Sequence, residues 1–104
     1  MLELVDLAKR ISKEDYEKVF PQMEIDLGEC QRQARQAGVP VVIVFEGWDA
    51  GGKGGAIRRL VAALDARSYQ VIPISKPTEE ELAHHYLWRF WRKIPRAGQF
   101  AIFD

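Results

Sequence analysis

The residues most able to do chemistry form one run, Gly47-Trp48-Asp49-Ala50-Gly51-Gly52-Lys53-Gly54, with Gly55 directly after it. Glycines so spaced let successive backbone N–H groups turn inward around an anion, and a lysine at the end of the run adds a mobile full charge. The chemistry is phosphate binding, and its candidate residues are Gly47, Ala50, Gly51, Gly52, Lys53, Gly54 and Gly55. The common Walker A form, G-x-x-x-x-G-K followed by Ser or Thr, places that hydroxyl on a magnesium ion. Gly54 occupies the hydroxyl's position here, so magnesium needs another hard oxygen. Asp49, inside the loop, is the nearest carboxylate.

A second carboxylate, Asp104, follows the apolar residues Phe100-Ala101-Ile102-Phe103. An acidic strand end of this kind lies beside the loop in phosphate-loop enzymes and holds magnesium directly or through water. Asp49 and Asp104 would then flank one metal, although any short buried strand can end in Asp. Lys76, followed by Pro77, either holds a further phosphate or is a solvated turn lysine. The segment Leu87-Trp88-Arg89-Phe90-Trp91-Arg92-Lys93 interleaves rings and cations, as single-stranded nucleic-acid binders do. At helical spacing Leu87 and Trp91 instead share a face, which favours buried aromatics beneath a basic surface. Arg89 and Arg92 remain able to face an anionic substrate, and no nucleic-acid partner is expected. His84 and His85 are neighbours, roughly 100° apart on a helix, and read as partly exposed helix residues rather than metal ligands.

These groups need elements to hold them. The apolar run 39–45 predicts a strand entering the loop, and Ala56–Leu64 a helix leaving it. Upstream, Ser12 is a candidate N-cap with Asp15 three residues on, and Tyr16, Phe20, Met23, Leu27, Cys30, Ala34 and Ala37 recur at spacings of three and four. They predict one long helix over 12–38, stopped by Gly38 before Pro40, with a bend possible at Pro21. Its stripe suits packing across its own sheet or a seam with a second copy, and the expectation carried forward is a homo-oligomer.

Tyr69–Ile74 predicts a second strand, Thr78–Trp91 a third helix opened by a Thr78/Glu81 capping box, and Gln99–Phe103 a last strand. Alternation of this kind predicts a parallel sheet with ligands at its carboxyl edge, where Gly47, Ser75 and Asp104 all fall. The expected fold class is α/β, a P-loop kinase-like three-layer αβα arrangement truncated after its third strand. The expected division is an N-terminal arm over 1–11 and a partial domain over 12–104, with strand–loop–helix at 39–65 and strand–helix–strand at 69–104.

Fifteen basic and fifteen acidic residues give no net charge. Their distribution is uneven, because residues 50–98 hold nine basic against four acidic side chains. The half with the loop is the cationic half. One cysteine, Cys30, excludes an internal disulfide and is read as a small buried hydrophobe. With no apolar run of about 18–20 residues and no signal-like N-terminus, the expectation is a cytoplasmic protein without a membrane partner.

Taken together, Phe45–Gly55 with Ile57-Arg58-Arg59-Leu60 resembles the loop of the second family of polyphosphate kinases. Lys76–Glu81, Tyr86–Phe90, Ile94–Gln99 and Ile102–Asp104 resemble later blocks of that family in order and spacing, so the resemblance spans residues 12–104. It implies a magnesium-dependent transfer of a terminal phosphoryl group between inorganic polyphosphate and a nucleoside mono- or diphosphate, with AMP, ADP, ATP or guanine counterparts as the nucleotide. It also implies that Asp49 and Asp104 handle metal and nucleotide, that Lys53 stabilises the transferred group, and that Lys76 and Arg89 line the polyphosphate track. The family continues past the strand-end Asp with an arginine segment, a helical lid and more strands. The chain is therefore expected to be the N-terminal part of a catalytic domain, and the function is assigned to the parent protein. The other readings are a phosphate-loop kinase that uses a nucleoside triphosphate on a small metabolite, and an interaction module that retains the fold without activity.

Overall fold

A computed structural model describes residues 10–104, the side chain of Asp49 excepted; residues 1–9 of the expected arm lie outside the described residues. The elements are α1 (Lys13–Ala37), β1 (Val41–Val44), α2 (Lys53–Ala62), β2 (Tyr69–Ile72), α3 (Glu79–Leu82), α4 (Trp88–Trp91) and β3 (Phe100–Phe103). Single 3-10 turns at Asp49–Gly51 and Ala66–Ser68 lead into α2 and β2.

All three strands are parallel, in the order β1-β3-β2. The last strand in the chain is thus the middle one, with Val41 and Tyr69 both opposite Phe100, and Val44 and Ile72 both opposite Phe103. Because side chains alternate along a strand, β3 serves both faces of the sheet. Phe100 and Ile102 join Ile57 and Leu64, with Leu27 and Ala34 of α1 against them. Ala101 and Phe103 join Ile72, with Ile74 and Phe90 against them. These are the helix–sheet–helix layers expected of the fold class.

The start and stop of α1 follow the sequence signals. The Ser12 hydroxyl accepts from the Asp15 N–H at 3.1 Å, and at the other end the Gly38 N–H donates to the Ala34 and Arg35 carbonyls. The helix runs through Pro21 without a break. Burial along it differs from expectation. Leu27 and Ala34 reach the core, whereas Tyr16, Met23 and Cys30 are exposed. Length is the reason: 25 helical residues extend about 38 Å, while a four-residue strand covers about 13 Å. The amino-terminal part of the stripe overhangs the sheet, and Cys30 is an exposed thiol rather than a core residue.

The expected helix over 78–91 is two short helices. Its capping box forms, with the Thr78 N–H donating to Glu81 Oε1 at 2.8 Å and the Glu81 N–H donating to Thr78 Oγ1 at 3.2 Å. The chain then leaves the helix because His85 Nδ1 accepts the Leu87 N–H at 3.3 Å, occupying a donor that a continuous helix would need. Stacking of His84 on Trp88 and of His85 on Trp91, at 3.8 and 5.4 Å between ring centroids, fixes the turn. The break shifts the helical register, so Trp91 is exposed and Phe90 packs edge-on against Phe103.

Candidate active site at the carboxyl edge of the sheet

β1 delivers the chain to the loop, and the Phe45 N–H still donates to the Phe103 carbonyl at 3.0 Å. The loop then closes a 3-10 turn, with the Gly51 N–H on the Trp48 carbonyl at 2.9 Å. Gly52 follows at φ 86°, a left-handed conformation that a side chain would strain, and becomes the N-cap of α2. The first hydrogen bond of α2 runs from the Ala56 N–H to the Gly52 carbonyl at 3.0 Å. The N–H groups of Gly52, Lys53, Gly54 and Gly55 therefore come before the helical ladder and are free to meet an anion at the positive end of the helix dipole.

Lys53 sits in the first turn of α2, and its Nζ lies 3.1 Å from Asp104 Oδ1. Asp104 is held by its own backbone: its N–H donates to the Ile72 carbonyl at 3.0 Å, and its carbonyl accepts from the Ile74 N–H at 2.7 Å. A carboxylate at the end of the central strand is thereby fixed against the loop lysine. Both face a cavity of about 300 Å³ whose walls include Glu46, Gly47, Ile74 and Phe90. Gly47, Ala50, Gly51, Gly52, Gly54, Gly55, Lys53 and Asp104 are thus brought together at one edge. The backbone of Asp49 lies in the same loop, and its side chain is outside the described residues.

Lys76 and Arg89 stand apart from this cluster. Lys76 is exposed in the connection between β2 and α3. Arg89 is anchored through one nitrogen: its Nη1 donates to the Ser75 carbonyl at 2.7 Å and lies 3.7 Å from Glu81 Oε1. The Glu81 carboxyl is held below the usual carboxylate range, first by the Thr78 N–H and then by the Arg89 charge. Two cavity-lining residues, Ile74 and Phe90, escaped the sequence reading. Phe90 was hidden by the helix break, which turned it inward in place of Trp91. The loop also presents Trp48 to solvent, with 88 % of its surface exposed.

Magnesium takes one or two carboxylates, with phosphate oxygens and waters completing its shell. Asp104, fixed beside the phosphate loop, suits that requirement, and among the described residues no group of three or more His, Cys, Asp or Glu side chains gathers into an all-protein cage.

The family description "Polyphosphate kinase 2 (PPK2)" matches residues 10–104. The chain is 50 % identical over its whole length to a polyphosphate:AMP phosphotransferase of Pseudomonas syringae pv. tomato, of which it covers 21 %. It is 40 % identical over 96 residues to ADP-polyphosphate phosphotransferase 1 of Rhizobium meliloti, covering 92 % of this chain and 32 % of that one. Among solved structures, polyphosphate kinase 2 from Arthrobacter aurescens TC1 superposes with a TM-score of 0.87 at 28 % identity, over 100 % of this chain and 40 % of its own. The chain thus spans between about a fifth and two fifths of the lengths of these three proteins. A phosphate loop without its hydroxyl, an acidic strand end paired with the loop lysine and this agreement in sequence and fold converge, and the chain belongs to the polyphosphate kinase 2 family.

Proposed function

We propose that the gene product carrying this chain transfers a phosphoryl group between inorganic polyphosphate and a nucleoside mono- or diphosphate. The observation that carries the reading is Lys53 at 3.1 Å from Asp104, beside the amides at the start of α2. Relatives named as phosphotransferases between polyphosphate and AMP, ADP or GDP support it.

The division of labour follows from charge. The transferred phosphoryl is already electrophilic, so the protein must align donor and acceptor oxygens and neutralise charge on the equatorial oxygens. The N–H groups of Gly52–Gly55 and the Lys53 ammonium cradle that group, and Asp104 keeps the ammonium aimed at it. Asp104 and Asp49 would hold magnesium, which when bound neutralises charge between adjacent phosphates. Lys76 and Arg89 are assigned to the incoming polyphosphate. We place the protein in the cytoplasm as a homo-oligomer, with no nucleic-acid or membrane partner; among the described residues no helix is long and apolar enough to cross a membrane.

The test is phosphoryl transfer from polyphosphate to AMP and, separately, to ADP in the presence of magnesium, by the complete gene product and its Lys53→Ala variant. Product formation that falls by about 10²-fold or more in the variant is expected, the usual cost of removing one preorganised stabiliser of developing charge. Absence of transfer from polyphosphate, together with consumption of ATP, would overturn the reading in favour of a kinase acting on a small metabolite.

A further inference from the structure

Three glycines lie within helices, Gly28 of α1 and Gly54 and Gly55 of α2. A helix disfavours glycine against alanine, so each of them needs a reason. A Cβ on Gly28 would meet the Ala63 carbonyl oxygen at 3.4 Å, and the close approach of α1 to the end of α2 accounts for it. A Cβ on Gly55 would press on the Arg59 guanidinium at 3.0 Å. A Cβ on Gly54 would meet nothing within 4 Å among the described residues, and its φ is not left-handed. The packing around Gly54 does not ask for glycine.

Gly54 is the second residue of α2, directly after Lys53. Cα–Cβ bonds in a helix tilt toward its N-terminus, so a side chain here would lean toward the phosphate loop. In the Walker A form this is the Ser or Thr position whose hydroxyl ligates the magnesium of a nucleoside triphosphate. Glycine removes that hydroxyl and the Cβ together. Without the hydroxyl, magnesium is left with the carboxylate side of the site, where Asp104 Oδ1 stands 3.1 Å from Lys53 Nζ. Without the Cβ, a bare phosphate oxygen can come down onto the amides of the first turn. A linear phosphate chain gains from both changes, whereas a nucleoside triphosphate loses the metal ligand that the loop would otherwise offer it.

We propose that Gly54 selects the phosphoryl donor, favouring inorganic polyphosphate over a nucleoside triphosphate. This preference rests on the polyphosphate reading above and is assigned to one missing side chain. In the transfer, the bond from the terminal phosphorus to its bridging oxygen breaks as an acceptor phosphate oxygen bonds to that phosphorus, and the chain departs one phosphate shorter. Gly54 makes none of these bonds; it sets how closely the donor lies against the loop.

The experiment measures kcat/KM of the complete gene product with polyphosphate and with ATP as donors and labelled AMP or ADP as acceptor, for the unsubstituted protein, Gly54→Ala and Gly54→Ser. Thermal midpoints are read for each, alone and with polyphosphate in the absence of magnesium. The added Cβ lowers kcat/KM for polyphosphate about 10²-fold in both variants, the usual cost of misplacing a reacting group by about 1 Å. It also removes the rise in midpoint that polyphosphate gives the unsubstituted protein. The midpoints without ligand hold or rise, because alanine and serine suit a helix better than glycine. Only Gly54→Ser regains a hydroxyl for the metal, so its kcat/KM for ATP exceeds that of Gly54→Ala at least about tenfold. A midpoint of unliganded Gly54→Ala lower by more than about 4 °C would make glycine a requirement of the fold and overturn the proposal. So would polyphosphate use that survives in either variant, or ATP use no better in Gly54→Ser than in Gly54→Ala. If the unsubstituted protein takes no phosphate from polyphosphate, the reading beneath has failed, a result recognisable before any variant is compared.

Discussion

Asp104 is the residue whose position is least explained by stability. Its partner Lys53 is 24 % exposed and Asp104 itself 37 %, so solvent screens the pair. Such pairs contribute about 0–1 kcal/mol, so the contact does little to hold the fold, and under the proposed function it aims the ammonium. Asp104→Asn keeps the backbone bonds to Ile72 and Ile74 and removes only the charge. In the complete gene product the thermal midpoint is therefore expected to move by no more than about 2–4 °C, while kcat with polyphosphate and AMP falls at least about tenfold. A full thermal shift with unchanged kcat would make the pair structural. Both residues were legible in the sequence, because Lys53 ends a glycine-rich loop and Asp104 ends an apolar strand. Phe90 was not, since its inward turn depends on one side chain, His85, capturing the amide of Leu87.

At the scale of elements, α1 is tied to the start of β2 by a single buried amide. Gln31, 4 % exposed, donates to the Asp65 carbonyl at 3.1 Å and accepts from the Asp65 N–H at 2.7 Å. Gln31→Leu would leave both backbone groups of Asp65 without their partner, at a cost of about 1–3 kcal/mol, read as a lower urea midpoint. An unchanged midpoint would show that the clamp is replaced by water. Arg35 of α1 reaches the same segment, its Nη1 donating to Ser68 Oγ at 3.3 Å and lying 4.0 Å from Asp65 Oδ2, while the Asp65 side chain is fixed locally. Hydrogen bonds from the Arg67 guanidinium and the Arg67 N–H lower its carboxyl to about 2. A folded value below the unfolded one adds stability above the ordinary carboxylate range, lost as pH falls through about 2. Asp65→Asn is thus expected to be less stable than the unsubstituted chain near neutral pH, with the difference shrinking as pH falls toward about 2, by urea unfolding across that range. A difference that persists in acid would assign the loss to geometry instead of charge. None of this joint was readable beforehand, because Gln31 and Asp65 are 34 residues apart and their types carry no periodic signal. The strands and helix caps were readable, because alternating apolar runs and local capping pairs are encoded within a few residues.

At the scale of the whole molecule, sheet and site share one organising strand. β3 supplies both faces of the core, with Ile102 fully buried, and its next residue completes the candidate site. The α/β class and the parallel sense of the strands followed from element alternation. The overhang of α1 did not, because spacing along a helix reports which side is apolar and is silent on how far the opposing sheet extends.

The strand order also governs the sequence of events during synthesis. A ribosome releases α1, β1, α2 and β2 before β3, yet β1 and β2 meet each other only through β3. Until Phe100–Phe103 emerges, the earlier elements have no shared sheet to condense upon, and their apolar faces stay open to chaperones and to neighbouring nascent chains. Assembly is consequently gated by a late-arriving four-residue segment, and the carboxylate that pairs with Lys53 is delivered in that same step.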